Sequence, residues 1–223
     1  MFAPQKLWQT LKNFDYQAPW WDASANEAYS IGEKLYFTTG DITIMNKANT
    51  WCILFNKDMI TDHNLDDPYQ MFHDGTWTFD KLGEMASTVH NANGAEDMGN
   101  PDAVYGMITA YGDALEFYGG SGMALCNKDA ANNPALAFCE SESSVSLAES
   151  VLTKLHNADW KLYAQDPGVG MQPAFQIFWT GRALFRPSGF TAVTKCRSLA
   201  EMSFGILPMP KVTESQDGYY TTS

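Results

Sequence analysis

Two carboxylates three residues apart, Asp113 and Glu116, have the spacing that most directly suggests chemistry. On one helix they would share a face, and paired carboxylates are the groups with which glycoside hydrolases break glycosidic bonds. The chain has 26 acidic and 14 basic residues, and in such an acidic chain this spacing is far more often a solvated helix face. We therefore predict no catalytic residue and keep a glycoside hydrolase as an alternative.

Other catalytic and metal-binding patterns are missing from the sequence. It contains no GxSxG, HExxH or Walker motif, and the Gly-rich turn at 119–122 lacks the lysine of a phosphate-binding loop. The histidines lie among polar residues and are predicted to be solvated: His63, His73, His90 and His156. The sequence thus predicts neither a metal site nor a cofactor.

The four cysteines show no metal-binding spacing either. Cys52 lies inside an apolar run and is predicted to be a small buried hydrophobe. Cys126 and Cys139 flank a polar loop that a disulfide between them would close, and a pair of free thiols is the alternative.

Charge restricts the classes of partner. A net charge of −12 repels phosphate backbones and anionic membranes, so we predict no nucleic-acid partner. No run of 18 apolar residues is present, so no membrane-spanning segment is predicted, and the first six residues have none of the features of a signal peptide.

Binding is better supported than catalysis. Sugars and similar polar ligands need aromatic faces for their C–H surfaces and amide, hydroxyl or carboxylate groups for their hydroxyls. Four loops combine such residues, and the candidate ligand-binding residues in them are Asn49, Trp51, Tyr111, Asp113, Tyr118, Ser188 and Phe190. Any one of these rings could instead fill the core, and that alternative stays open for each.

Alternating elements must position these loops. The continuous apolar run 51–55 predicts a strand buried on both faces, and shorter strands are predicted at 104–109, 183–185 and 202–207. Apolar stripes at helical spacing predict helices over 78–89, 144–156 and 173–180. The first thirty residues are predicted to be irregular, 218–222 to begin a strand, and the rest of the tail after Pro208 to contribute nothing to a core. Strands alternating with helices indicate an α/β fold.

Seven short segments then occur in the order found in one family: PWWD at 19–22, GEKLY at 32–36, FNKD at 55–58, TWTFD at 76–80, YGG at 118–120, GRALF at 181–185 and FGILP at 204–208. Together they resemble the family 1 extracellular solute-binding proteins of ABC importers, the group that includes maltose-binding protein. The chain looks most like the lipoprotein members found in Gram-positive bacteria.

The resemblance implies a type II periplasmic-binding-protein-like lobe, in which helices flank a mixed sheet. Residues 51–207 would form the second lobe, 1–50 a remnant of the first lobe with the approach to the hinge, and 208–223 a truncated return strand toward the first lobe. Ligand would be captured between lobes by hinge closure, without enzymatic activity. At 188–190 the chain has Ser-Gly-Phe where the sugar binders have Gly-Pro-Trp, so the resemblance does not identify the sugar.

The resemblance also implies partners and location. The expected partners are a mono- or oligosaccharide and the permease subunits of an ABC importer. The expected location is extracellular, with the membrane reached only through a lipid anchor outside this chain. A surface module that binds another protein through its aromatic loops is a further alternative.

Overall fold

A computed structural model of the chain describes residues 15–91, 103–138, 140–166 and 169–222. Within these ranges the helices are α1 (Ala23–Tyr29), α2 (Met45–Ala48), α3 (Lys57–Asp62), α4 (Pro68–His73), α5 (Phe79–Val89), α6 (Asp113–Gly119), α7 (Glu142–Asn157), α8 (Met171–Trp179) and α9 (Thr191–Leu199). The strands are β1 (Ser30–Ile31), β2 (Lys34–Leu35), β3 (Trp51–Asn56), β4 (Tyr105–Thr109), β5 (Cys126–Lys128), β6 (Pro134–Leu136), β7 (Lys161–Tyr163), β8 (Ala183–Gly189) and β9 (Phe204–Leu207).

A mixed five-stranded sheet organises the fold, in the order β7-β4-β8-β3-β9. Strand β4 is parallel to both β7 and β8, whereas β3 is antiparallel to both β8 and β9. Strands β7, β4, β8 and β9 therefore point one way and β3 points the other. Helices pack on both faces, which confirms the predicted class, a mixed sheet flanked by helices.

Strand β3 shows why its sequence is apolar throughout. Ile53 and Phe55 belong to the core cluster on one face of the sheet, and Cys52 and Leu54 belong to the cluster on the other face. Successive side chains of a strand point to opposite faces, so a strand covered on both sides needs an apolar residue at every position. The burial of Cys52 is as predicted.

The long helices form where the sequence predicts them. The Thr78 hydroxyl caps α5 by accepting a hydrogen bond from the Lys81 N–H (3.2 Å), and the whole apolar stripe of this helix is buried. Helix α7 begins two residues before the predicted start, because Ser141 and Ser144 form a reciprocal capping box. Helix α8 likewise begins at Met171 instead of Pro173.

Three expectations about the ends of the chain are wrong. Part of the first thirty residues forms α1, which Asp22 caps by accepting a hydrogen bond from the Ala25 N–H (3.0 Å). Residues 218–222 form no strand, and the tail does contribute to the core, because Met209 and Val212 are buried in the cluster of Ile53. Two apolar side chains among prolines and polar residues have no periodicity, so the pattern along the chain does not indicate their burial.

The tail is also tied to the body of the fold by hydrogen bonds. The Trp77 indole N–H donates to the Pro208 carbonyl (3.0 Å), and the Trp77 backbone N–H donates to the Tyr219 hydroxyl (3.2 Å). The Trp51 N–H donates to the Thr222 carbonyl (3.0 Å). The tail therefore passes beside the first residue of β3. The division of the chain at 50 and 207 stays a prediction.

Candidate binding edge of the sheet

The strand directions bring several loops to one edge of the sheet. The carboxyl ends of β4, β7 and β8 and the amino end of β3 all lie there. We call this the carboxyl edge and define it as residues 49–51, 110–113, 163–166 and 188–190. In open α/β sheets, ligands bind outside the carboxyl ends of the strands.

The loops at the centre of this edge are held close together. Trp51 lies opposite Gly189 in the register of β3 and β8, and the Phe190 N–H donates to the Thr50 carbonyl (3.1 Å). A Cβ atom on Gly189 would lie 3.3 Å from the Ala48 carbonyl oxygen, so glycine at this position allows the close approach. The structure thus brings together two predicted loops that are about 140 residues apart in sequence.

Asn49, Ser188 and Phe190 differ in exposure. Asn49 is exposed at the end of α2. Ser188 is half-buried, and its carbonyl accepts a hydrogen bond from the Cys52 thiol (3.2 Å). The Phe190 ring is 41% exposed at the start of α9. Of these three, Phe190 offers an apolar face at the edge.

Tyr111 is an exposed ring that its neighbours hold in place. Its side chain is 54% exposed, yet its hydroxyl donates to Asp166 Oδ1 (3.0 Å) and its ring meets the Tyr163 ring edge-on, with the centroids 4.7 Å apart. Its backbone N–H donates to Gln165 Oε1 (3.1 Å). The hydrogen bond to Asp166 raises the pKa of the Tyr111 phenol. Tyr111 is therefore a preorganised aromatic surface.

Asp113 is at the same edge but faces inward. It is 4% exposed, and its Oδ2 accepts hydrogen bonds from the Thr109 hydroxyl and the Ala110 N–H (2.8 Å each). Burial raises the pKa of this carboxyl to about 6, although the two hydrogen bonds act in the opposite direction. These contacts close the turn between β4 and α6.

Glu116, the second carboxylate of the suggested pair, contacts the tail. It accepts a hydrogen bond from the Thr222 hydroxyl, and burial raises its pKa. Glycosidase carboxylates flank an open space that admits the sugar. Here one carboxylate is enclosed by its own turn and the other is partly covered by the tail.

Tyr118 is the candidate that the structure does not bring to the edge. It lies in the last turn of α6 and is fully buried, with its ring edge-on to Phe138 at 5.1 Å. Its hydroxyl donates to the Met123 sulfur (3.9 Å).

The hydroxyl and ring contacts of Tyr111 come from residues that no sequence pattern selected. Tyr163, Gln165 and Asp166 follow β7 or end it, a three-residue strand too short for a recognisable pattern. Its parallel pairing places Tyr163 opposite Thr109. The alternation in Trp160-Lys-Leu-Tyr163 is too short by itself to separate a strand from a loop.

Three open grooves begin at residues of the carboxyl edge and extend beyond it. One of about 370 Å³ adjoins Asn49 and Thr50, and one of about 550 Å³ lies between Phe190, α9 and Ile206. The third, of about 690 Å³, is bounded by Tyr111 and Tyr163. Such volumes are in the range of small-molecule sites.

The similarity of this chain to known proteins lies in its fold. No protein-family model and no curated protein matches the sequence. Solved structures do match. An ABC substrate-binding protein from Listeria monocytogenes in complex with cycloalternan superposes with a TM-score of 0.60 at 12% identity, covering 93% of this chain and 47% of that one.

Two further structures agree with it. UgpB from Mycobacterium tuberculosis in complex with glycerophosphocholine has a TM-score of 0.59 at 16% identity, covering 95% of this chain and 46% of that one. The maltotriose-binding protein of Thermus thermophilus has a TM-score of 0.55 at 18% identity, covering 92% of this chain and 47% of that one.

The chain has an ABC substrate-binding-protein fold. The fold expected from the resemblance, type II periplasmic-binding-protein-like, is thereby confirmed. The chain spans about half the length of the solved structures it matches.

Other features of this substrate-binding-protein fold bear on chemistry. Among the described residues, no group of three or more metal-ligating side chains is close enough to hold a metal ion. Nor, in those ranges, is any helix long and apolar enough to cross a membrane. Cys126 is a free, exposed cysteine on β5, so the structure does not show the disulfide considered between it and Cys139, which lies outside the described residues.

A buried arginine lies behind the carboxyl edge of the substrate-binding-protein fold. The Arg186 guanidinium is 4.0 Å from the centroid of the Phe175 ring and 5.2 Å from that of Trp179. Its Nε and Nη1 have no hydrogen-bond partner in the described ranges, and burial lowers its pKa. The two aromatic rings therefore stabilise its charge.

Proposed function

We propose that the chain is the second lobe of an extracellular substrate-binding protein and captures a carbohydrate at its carboxyl edge for an ABC importer. The observation that carries the proposal is the pair of exposed rings, Tyr111 and Phe190, at the edge where α/β sheets bind ligands. Polar groups and open grooves surround both rings. Stacking on rings combined with hydrogen bonds to polar groups is how proteins bind sugars.

Exposed apolar side chains support the proposal that a first lobe packs against this chain. In the described part of the chain they are concentrated in the segment proposed to belong with the first lobe: Trp20, Tyr29, Ile31, Phe37, Ile42, Ile44 and Met45. Several large apolar side chains exposed within one segment favour an interface. We propose that the first lobe covers it and supplies the opposite wall of the cleft.

The proposed mechanism is capture without catalysis. Ligand bound at the carboxyl edge would favour the closed arrangement of the two lobes, because only that arrangement contacts the ligand from both sides. The closed form would then dock on the permease. We further propose that the protein is held at the cell surface by a lipid anchor, as in the Gram-positive members of the family that the sequence resembles.

Structures with this fold suggest the ligands to test. One match is in complex with cycloalternan and another is a maltotriose-binding protein. A third is in complex with glycerophosphocholine, so the fold also serves ligands that are not carbohydrates. A further match, RafE, is in complex with raffinose. The test therefore uses maltotriose, raffinose and glycerophosphocholine.

Calorimetric titration of the chain, and of any longer protein that contains it, tests the proposal. We expect saturable heat with a saccharide, weaker for the chain alone because one wall of the cleft is absent. Phe190→Ala should weaken binding about tenfold, or about 1.4 kcal/mol. Leu199→Ala, at the opposite end of α9 and 55% exposed, should leave binding unchanged.

Two results would contradict the proposal. Heat from glycerophosphocholine alone would exclude the carbohydrate ligand, and absence of heat from all three compounds would remove support for capture altogether. Release of new reducing ends in the same solutions would favour the glycoside hydrolase.

A further inference from the structure

The groove of about 690 Å³ beside Tyr111 extends from the carboxyl edge onto an outer face of the molecule. It runs between β7, one of the two edge strands of the sheet, and the C-terminal half of α7, and its lining includes Leu152, His156 and Lys161. None of these three residues was a candidate from the sequence, and none lies at the carboxyl edge. The groove therefore begins at the proposed binding site, where Tyr111, Tyr163 and Asp166 line it, and continues beyond that site.

Tyr111 connects the two surfaces. It lies at the carboxyl edge and also lines the groove. Its hydroxyl and ring contacts come from Asp166 and Tyr163, which line the same groove. A ligand stacked on Tyr111 can continue into the groove without a break in contact.

The groove has the composition of a saccharide site. Leu152 is 53% exposed and provides apolar surface. Lys161 Nζ lies 4.7 Å from the centroid of the Tyr163 ring and donates to the Ala158 carbonyl (2.8 Å), so its ammonium is held in position. The Asp166 carboxylate lines the same groove and supplies hydrogen-bond acceptors and a negative charge. A positioned cation, a carboxylate and exposed aromatic surface suit the hydroxyls and C–H faces of a neutral sugar.

We propose that this groove is an outer subsite that binds further units of a neutral oligosaccharide whose first units occupy the carboxyl edge. The inference rests on the proposed function and deepens it, because it assigns the ligand class as an oligosaccharide longer than the interlobe cleft. The groove makes affinity increase with chain length.

The test compares short and long members of two sugar series: maltotriose with maltohexaose, and raffinose with stachyose. In at least one series, we expect the longer sugar to bind the wild-type protein about fivefold more tightly, as burial of the exposed Leu152 side chain against a further sugar unit would provide. Leu152→Glu, which replaces the apolar surface of the groove with a charged carboxylate, should abolish this difference and leave binding of the short sugar unchanged.

A matched variant and a spectroscopic signal make the test specific. Leu199→Glu changes a leucine of similar exposure, 55%, on α9, and should retain the preference for the longer sugar. The NMR signal of the His156 ring should shift with the longer sugar and stay in place with the shorter one.

The outcomes separate the two proposals. If short and long sugars bind equally, or if Leu152→Glu retains the length preference, the outer subsite is wrong and the proposed function stands. If no sugar binds at all, the proposed function fails, and the subsite fails with it.

Discussion

Asp113→Asn tests whether the buried carboxyl at the turn between β4 and α6 has a raised pKa in the folded protein. In the wild-type structure this carboxyl is 4% exposed and accepts two hydrogen bonds at 2.8 Å. Burial raises its pKa from 3.8 to about 6, and the nearby Glu116 acts in the same direction. An asparagine amide has the same shape and its oxygen can accept both bonds, so the variant should fold.

The sign of the effect follows from proton linkage. Because the folded-state pKa lies above the unfolded one, the carboxyl adds to the free energy of unfolding when it is protonated. That contribution is complete below about pH 4 and is lost as the pH rises through about 6. The difference between 3.8 and about 6 corresponds to about 3 kcal/mol. Asparagine does not titrate, so its contribution is constant.

Urea denaturation at a series of pH values between 4 and 8, followed by tryptophan fluorescence, measures the effect. We expect the free energy of unfolding of the wild type, relative to Asp113→Asn, to fall by up to about 3 kcal/mol between pH 4 and pH 7. Subtracting the two curves removes the titration of the groups that do not interact with Asp113. Asp41→Asn, an exposed carboxylate, is the control.

A flat difference curve would refute the argument, because it would mean that Asp113 titrates alike in the folded and unfolded states. A difference that rises with pH would refute it more strongly. In that case the hydrogen bonds from Thr109 and Ala110 would outweigh the cost of burial.

Two further predictions concern reactivity and packing. Burial raises the pKa of the Cys52 thiol to about 12. At pH 8 iodoacetamide should therefore alkylate the exposed Cys126 and leave Cys52 unmodified in the native protein. Peptide mass spectrometry that found both cysteines labelled equally would contradict this prediction. Gly205→Ala should lower the free energy of unfolding by about 2 kcal/mol, because the new Cβ would lie 2.2 Å from the Phe55 ring. Gly83→Ala, whose Cβ would meet nothing closer than 3.4 Å, should by contrast leave the free energy of unfolding unchanged or raise it by up to about 1 kcal/mol. Equal losses of this free energy in the two variants would show that the packing argument is wrong.

Local patterns along the chain are enough to identify the main elements of the fold. The run at 51–55 forms β3, and the stripe and cap at 78–89 form α5, because strand alternation and helical periodicity depend on neighbours along the chain. The loops containing Asn49, Trp51, Tyr111, Ser188 and Phe190 could be selected for their residue types. That they meet at one edge follows from the strand order, which no local pattern specifies.

The exposure of each candidate ring, in contrast, required the tertiary structure. Tyr111 and Tyr118 both lie beside glycines in the sequence, yet one is held outward by Asp166 and Tyr163 and the other is buried against Phe138. The same holds for Met209, which is fully buried although its flanking prolines indicate a surface segment.

The sequence by itself determined the α/β class, the positions of β3 and the long helices, and the residue types suited to a polar ligand. Only the tertiary structure decided which of those residues face solvent, that Asp113 closes a turn, and that Tyr163 and Asp166 support Tyr111. The reason is that periodicity and capping are properties of neighbouring residues, whereas burial and strand register depend on contacts between residues far apart in the chain.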